Sequence, residues 1–120
     1  MKRLLIAGSR TINPTTPELD SAFGLLLYHL DEQQIVVVHG NARGVDKAGG
    51  VWAQSMGYPV EIFEPDWKKN GRGAGYIRNQ EMVDTGIGAA FIFWDGSSKG
   101  TAHTLKLLEE NGIPRVVVVR

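Results

Sequence analysis

The chain has 120 residues, of which 42% are hydrophobic and 22% are charged, a composition typical of a globular domain with a buried core. Thirteen lysines and arginines balance thirteen aspartates and glutamates, which argues against a strongly basic nucleic-acid-binding protein. The absence of cysteine excludes disulfides, thiolate metal sites and a cysteine nucleophile.

Short runs of apolar, mostly β-branched residues alternate along the chain with segments whose apolar residues recur every three or four positions. Five runs are predicted to be strands, each covered on both faces: 4–7, 35–38, 60–63, 89–94 and 116–119. Four segments are predicted to be helices, the first after Pro17: 19–30, 45–56, 74–84 and 101–110. In the fourth helix Leu105 and Leu108 are expected to face the core. Three leucines, expected to be exposed, favour self-association as a dimer: Leu25, Leu27 and Leu107.

Four strand–helix alternations closed by a fifth strand predict βαβ units. The expected fold class is therefore α/β, a three-layer doubly wound fold with a five-stranded, mainly parallel sheet. No apolar run approaches the length of about 20 residues that a membrane-spanning helix needs, and no long signal core follows the first residues. A cytoplasmic protein without a membrane partner is expected.

Glycine is the unusual component, with 15 residues or about twice the usual share. Many of the glycines follow predicted strands, at the sheet edge where such folds bind ligands, and basic residues accompany them. Glycine lets a backbone approach a ligand closely, and helix N-termini attract anionic oxygen, so a phosphate-bearing ligand is expected. The candidate binding residues are Gly8, Ser9, Arg10, Gly40, Asn41, Arg43, Gly44, Asp46, Trp67, Arg78, Asn79, Gly96, Gly100 and Thr101.

Segment 66–78 gives this edge a local positive charge, because Lys68, Lys69, Arg72 and Arg78 oppose Asp66 alone. Arg78 falls one turn inside a predicted helix whose N-terminus faces the site, and we expect it to bind phosphate. Lys68 and Lys69 fit either the site or a solvated loop.

Several candidates have more than one interpretation. Asp46 fits a sugar ligand, a catalytic base or a residue of an early helical turn. Trp67 and Trp94 fit stacking on a base or packing in the core. Thr101 fits a ligand contact or a helix cap. Asp46 and Arg78 are the candidate catalytic residues.

Several standard motifs are absent. Lys99 precedes Gly100, the wrong order for a mononucleotide P-loop, and the glycines at 71, 73 and 75 do not form the dinucleotide fingerprint. His29, His39 and His103 do not combine with carboxylates at metal-ligand spacing. No metal and no cofactor is expected.

Five motifs in order along the chain carry a resemblance. They are Gly8-Ser9-Arg10, Gly40-x-Ala42-Arg43-Gly44-x-Asp46, Asp66-Trp67, Ala74-Gly75-x-x-Arg78-Asn79-x-x-Met82 and Gly100-Thr101-x-x-Thr104. Together they resemble the YspA/cpYpsA-related branch of the SLOG superfamily, Rossmann-like proteins found in bacteria and their phages. The resemblance implies a single SLOG-like nucleotide-binding domain over 1–120.

That superfamily includes lonely-guy phosphoribohydrolases, a DNA-processing protein that loads recombinase on single strands, and sensors of nucleotide-derived signals. The hydrolases' arginine four residues before a methionine matches Arg78 with Met82, and their Gly-Thr phosphate loop matches Gly100-Thr101. Their catalytic glutamate falls on Thr104, which has no carboxylate to take a proton.

The favoured hypothesis is therefore a sensor or sequestering module for a nucleotide or nucleotide-derived small molecule, without catalysis. The alternative is an enzyme acting on an N-glycosidic or phosphoribosyl bond, in which Asp46, Glu64 or Asp66 replaces the missing glutamate. Single-stranded nucleic-acid binding is the third hypothesis, and the zero net charge disfavours it.

Overall fold

The computed structural model describes residues 2–30 and 34–120. The strands are β1 (Lys2–Gly8), β2 (Ile35–His39), β3 (Val60–Ile62), β4 (Ala89–Trp94) and β5 (Arg115–Val119). The helices are α1 (Thr16–Leu30), α2 (Val45–Ser55), α3 (Trp67–Asn70), α4 (Ala74–Asp84) and α5 (Lys99–Glu110). A 3-10 turn over Gly71–Gly73 joins α3 to α4.

The five strands form one sheet in the order β3-β2-β1-β4-β5, and all four neighbouring pairs are parallel. This confirms the α/β, doubly wound, Rossmann-like fold. The order reverses between β1 and β4, which pair from Leu4 with Ala89 to Gly8 with Phe93. The carboxyl ends of these two strands therefore open the crevice in which folds of this type bind ligands.

Two apolar clusters, one on each face of the sheet, form the core. Helices α1 and α2 cover one face, where Phe23, Trp52 and Phe91 pack edge to face. Helices α4 and α5 cover the other face with Met82, Val83, Leu107 and Leu108. The arrangement gives three layers, and both central strands are buried on each side.

The expectation that Leu107 is exposed is wrong. Leu107 and Leu108 both enter the core under α5, and Leu107 is only 6% exposed, because this helix packs flat on the inner strands beside Ile113. Leu25 and Leu27 lie on the outer surface of α1 as expected, and Leu105 is partly buried.

The edge strands also differ from the expectation that every strand is covered on both faces. The residues of β5 alternate between exposed and half-buried, and Val119 is 60% exposed. The three residues of β3 are half-buried or exposed. A continuous apolar run is found in both edge and central strands, so it does not distinguish them. The position of a strand in the sheet depends on the tertiary fold.

Local polar contacts fix two helix starts. Thr15 and Glu18 form a reciprocal capping box before α1, in which each side chain accepts the other's backbone N–H. The single-turn helix α3 was not expected, and Asp66 caps it by accepting the N–H of Lys69 at 3.0 Å. Among the described helices, none combines the length and the apolarity that crossing a membrane requires.

Candidate ligand-binding cleft

A cleft of about 470 Å³ lies beyond the carboxyl ends of β1 and β4, within the usual size range of small-molecule sites. The first turns of α4 and α5 border it. Its lining comprises Ala7, Gly8, Arg10, Thr11, Ala42, Arg43, Asp46, Trp67, Arg72, Gly75, Tyr76, Arg78, Asn79, Met82, Asp95, Ser98, Gly100, Thr101 and Thr104.

The loop between β2 and α2 is fixed from below by two buried side chains. The Oδ2 atom of Asp46 accepts the backbone N–H groups of Gly40 at 3.0 Å and Ala42 at 3.2 Å. His39 Nδ1 accepts the N–H of Asn41 at 2.9 Å. Three consecutive N–H groups thus point into the protein rather than at a ligand.

Burial raises the pKa of Asp46 to about 6, although the backbone N–H donors and the charge of Arg78 oppose this change. Burial also lowers the pKa of His39, and the charges of Arg78 and Lys47 lower it further. A neutral His39 keeps Nδ1 as the acceptor that holds Asn41.

Arg78 lies one turn inside α4, and the protein holds its guanidinium in place. Nη1 donates to the carbonyl oxygen of Gly40 at 2.6 Å and to that of Phe63 at 3.4 Å, while Nε donates to Asn79 Oδ1 at 2.9 Å. Burial lowers the pKa of Arg78 and Asp46 raises it, but arginine stays charged at neutral pH. In the described part of the chain Nη2 has no partner, so it remains available to a ligand.

Glycine at position 40 was expected to let the backbone approach a ligand, but the structure shows a different reason for it. A Cβ there would lie 2.1 Å from Arg78 Nη1. Gly40 therefore makes room for the arginine rather than for a ligand. Gly44 also makes room for protein atoms: its φ is 80°, and a Cβ would lie 2.6 Å from the carbonyl oxygens of Ser9 and Arg10.

Asn79 connects Arg78 to α5. Its Nδ2 contacts the Gly100 carbonyl oxygen at 3.4 Å and His103 Nδ1 at 3.3 Å. The ring of His103 stacks on Tyr76, with 4.5 Å between the centroids. Burial lowers the pKa of His103, which favours Nδ1 as the acceptor of the Asn79 amide. Helices α4 and α5 are thereby joined beside the cleft.

The N-terminus of α5 faces the cleft. Ser98 is its cap: the Ser98 Oγ accepts the N–H of Thr101 at 3.4 Å, and the Thr101 hydroxyl contacts the same atom. The interpretation of Thr101 as the cap is therefore wrong, because α5 begins at Lys99, earlier than expected. First-turn N–H groups have no partner within a helix, so those of Lys99 and Gly100 can meet an anionic ligand.

Asp95 fixes the turn before α5. Its Oδ1 accepts the backbone N–H groups of Ser97 and Ser98, both at 2.8 Å, and these bonds lower its pKa. Its own N–H donates to Ser9 Oγ at 2.9 Å. This contact joins the two turns at the point where the strand order reverses.

The charges around the cleft are predominantly positive. Four arginines line it, against the two carboxylates of Asp46 and Asp95: Arg10, Arg43, Arg72 and Arg78. The zero net charge of the whole chain therefore conceals a local excess of positive charge at this edge of the sheet.

A smaller side cleft of about 260 Å³ adjoins the first and shares several lining residues with it. Its lining comprises Arg10, Gly40, Asn41, Ala42, Glu64, Pro65, Trp67 and Arg78. Asn41 Nδ2 donates to Glu64 Oε1 at 2.7 Å across this side cleft. Trp67 is 53% exposed at the boundary of the two clefts.

The candidate residues from the sequence divide into three groups. The main cleft is lined by Gly8, Arg10, Arg43, Asp46, Trp67, Arg78, Asn79, Gly100 and Thr101. The side cleft adds Gly40 and Asn41. The remaining three support the loops from outside the lining: Ser9 is buried, Gly44 packs against Ser9 and Arg10 in the turn after β1, and Gly96 lies in an exposed turn with a φ of 82°.

The structure also shows where four other residues discussed from the sequence lie relative to the two clefts. Lys68 and Lys69 lie on α3 outside the lining of both clefts. Trp94 packs in the core and donates Nε1–H to the Ser98 carbonyl oxygen. Thr104, where the resemblance to the phosphoribohydrolases would place their glutamate, lines the cleft, and its hydroxyl donates to the Gly100 carbonyl oxygen at 3.2 Å.

Sequence reasoning did not single out Tyr76, Ser98 or Asp95 as site residues. A serine three residues before a threonine, at the start of a helical pattern, is a capping signal that would have identified Ser98. The position of Tyr76, two residues before Arg78, gives no such signal. In the described ranges, no group of three His, Asp or Glu residues is placed to hold a metal ion.

A doubly wound parallel sheet with an arginine-lined cleft at its switch point defines a Rossmann-like protein with a site suited to anions. The model of the YspA, cpYpsA-related SLOG family matches residues 2–70. The Gene 61 protein of Mycobacterium phage D29 is 39% identical over 119 residues, covering 95% of this chain and 94% of that protein. The chain therefore belongs to the YspA, cpYpsA-related SLOG family. No solved structure matches it significantly.

Proposed function

We propose that the protein binds a nucleotide or nucleotide-derived small molecule through its phosphate in the main cleft, as a sensor or sequestering module without catalysis. The observation that carries this proposal is the combination of four arginines with the N-terminus of α5 around one cleft. Positive side chains and free helix N–H groups are complementary to phosphate oxygens.

Arg78 is the central phosphate ligand in this proposal. Its bonds to Gly40, Phe63 and Asn79 fix the guanidinium before any ligand arrives, so little conformational entropy is lost on binding. Arg10, Arg43 and Arg72 add charge from other segments of the lining. Gly100 offers a backbone N–H without a bulky side chain in front of it.

The carboxylates of the cleft are poorly suited to turnover. Asp46 and Asp95 each accept two backbone N–H groups and hold loops in place. Thr104 offers only a hydroxyl, which is bonded to Gly100. Asp66 caps α3. The raised pKa of Asp46, about 6, favours the alternative of N-glycosidic hydrolysis with this residue as acid or base.

Calorimetric titration with AMP, GMP, CMP, UMP, NAD and ADP-ribose, followed by chromatography of the same samples, tests the proposal. We expect saturable binding of at least one compound, no released base, and a loss of affinity of about tenfold or more in Arg78→Ala. Arg115→Ala, at the start of β5, is the matched control and should bind normally.

Base release that disappears in Asp46→Asn would replace the binding proposal with the hydrolase alternative. Absence of binding to every compound would overturn both. If a single-stranded oligonucleotide then bound with a steep salt dependence, the third hypothesis would take their place.

A further inference from the structure

We propose that the side cleft binds the ribose of the ligand through its vicinal 2′,3′-hydroxyls, so that the protein selects ribonucleotides over deoxyribonucleotides. This inference rests on the proposed function, because it assigns the second half of the same ligand. It concerns Asn41, Glu64 and Trp67, which lie beside the phosphate cleft and on three different segments of the chain.

The side cleft offers paired acceptors. The bond from Asn41 Nδ2 to Glu64 Oε1 aligns the two side chains and leaves Asn41 Oδ1 and Glu64 Oε2 without a donor among the described residues. A vicinal diol supplies two O–H donors on neighbouring carbons, and a carboxylate accepts such bonds strongly. A deoxyribose supplies only one of them.

The acceptors are held in place before a ligand arrives. Asn41 has a φ of 59°, the only positive value among the described non-glycine residues. Its N–H is bound to His39, and Asp46 binds the N–H groups on either side of it. An uncommon backbone conformation that is fixed by buried partners is typical of a functional position.

The side cleft is less suited to a second phosphate than the main cleft. Arg10 and Arg78 line it, but Arg78 is shared with the main cleft, and the carboxylate of Glu64 on the wall repels an anion. A neutral, hydroxyl-rich group is the better match. Arg78 lines both clefts, so its guanidinium lies where the sugar of a nucleoside 5′-phosphate joins its phosphate.

Trp67 supplies the surface for the base. Its indole lines both clefts and is 53% exposed, beside Pro65 in the side cleft. A Cβ at Gly75 would lie 3.8 Å from the outer ring of the indole, so the rim of α4 supports one part of the side chain. Stacking on an open indole accepts any base, so selectivity for the sugar does not require selectivity for the base.

The test is calorimetric titration with matched pairs: AMP, GMP and CMP, each against its 2′-deoxy form, and UMP against dUMP. We expect the ribonucleotide of each binding pair to bind about tenfold or more tightly than its partner. Glu64→Ala should abolish that preference, because it weakens binding of the ribonucleotide more than binding of the deoxy form. Glu109→Ala, an exposed site on α5, is the matched control and should keep the preference.

The outcomes separate the two proposals. Equal affinity for both members of every binding pair would overturn the ribose assignment and leave phosphate binding standing. A preference that survives in Glu64→Ala would also overturn it. If no nucleotide of any pair binds, this inference fails, and the proposed function fails with it if NAD and ADP-ribose do not bind either.

Discussion

The guanidinium of Arg78 occupies the space that a side chain at Gly40 would need, since a Cβ at position 40 would fall 2.1 Å from Nη1. The same Nη1 donates to the carbonyl oxygen of Gly40 at 2.6 Å. Gly40, directly after β2, and Arg78, on α4, are 38 residues apart in the chain, yet they form one unit at the cleft. The absence of a side chain at position 40 therefore determines where the Arg78 guanidinium lies.

Gly40→Ala should therefore weaken nucleotide binding although it leaves every charge in place. The methyl group displaces the guanidinium, and we expect affinity to fall by about tenfold or more, as in Arg78→Ala. Gly24→Ala is the matched control, because a Cβ there meets nothing within 4 Å on the outer face of α1. Calorimetry should show normal binding for Gly24→Ala; normal binding for Gly40→Ala would contradict the proposed role of Arg78.

Asp46 should make folding stability depend on pH in an unusual direction. Its pKa is raised from 3.8 to about 6 in the folded protein, so the folded state holds this proton more tightly than the unfolded chain. The contribution of Asp46 to the free energy of unfolding is greatest below pH 4 and is lost as pH rises through about 6. The change amounts to about 3 kcal/mol. Denaturation of wild type and Asp46→Asn from pH 4 to 7 checks this.

The difference in the free energy of unfolding between wild type and Asp46→Asn isolates the effect of Asp46, because every other residue is the same in the two proteins. The wild type should lose stability relative to the variant as pH rises. A difference that is constant from pH 4 to 7, or that changes in the opposite direction, would show that folding does not raise the pKa of Asp46.

Thr104→Glu should weaken phosphate binding. The residue is buried at the lining of the cleft, so a carboxylate there places negative charge near the arginines. We expect a loss of affinity of about tenfold in titrations, while Thr104→Gln, of the same size but neutral, loses less. Base release by Thr104→Glu would instead show that the site lacks only the glutamate of the related hydrolases.

The core between α1, α2 and the sheet should depend on Trp52. This side chain contacts Phe23 and Phe91 edge to face, and its Nε1 donates to Asp20 at 2.9 Å. Trp52→Ala should lower the free energy of unfolding by about 3–5 kcal/mol. Tyr28→Ala, at a position 90% exposed on α1, should change it by less than about 0.5 kcal/mol. Chemical denaturation of both variants measures the difference.

The sequence predicted the fold class and the sheet edge that carries the cleft because apolar runs and glycine-rich turns are local signals. Gly40 and Arg78 are both candidates from the sequence, but their contact is not predictable from it, since it depends on how the loop after β2 packs against α4. Asp46 had three open interpretations, and only the folded loop shows it bound to two backbone N–H groups. The expectation that Leu107 is exposed is wrong because the spacing of apolar residues along α5 does not show how much of the helix circumference the sheet buries.

Phosphorus NMR of a nucleotide, recorded over time with wild type and with Arg78→Ala, tests most directly whether the protein holds a phosphate without turnover. We expect that the wild type shifts or broadens the phosphorus signal saturably, that Arg78→Ala does not, and that no new signal appears. A signal unaffected by the wild type would contradict phosphate binding, and the growth of a ribose-phosphate signal would contradict the absence of catalysis.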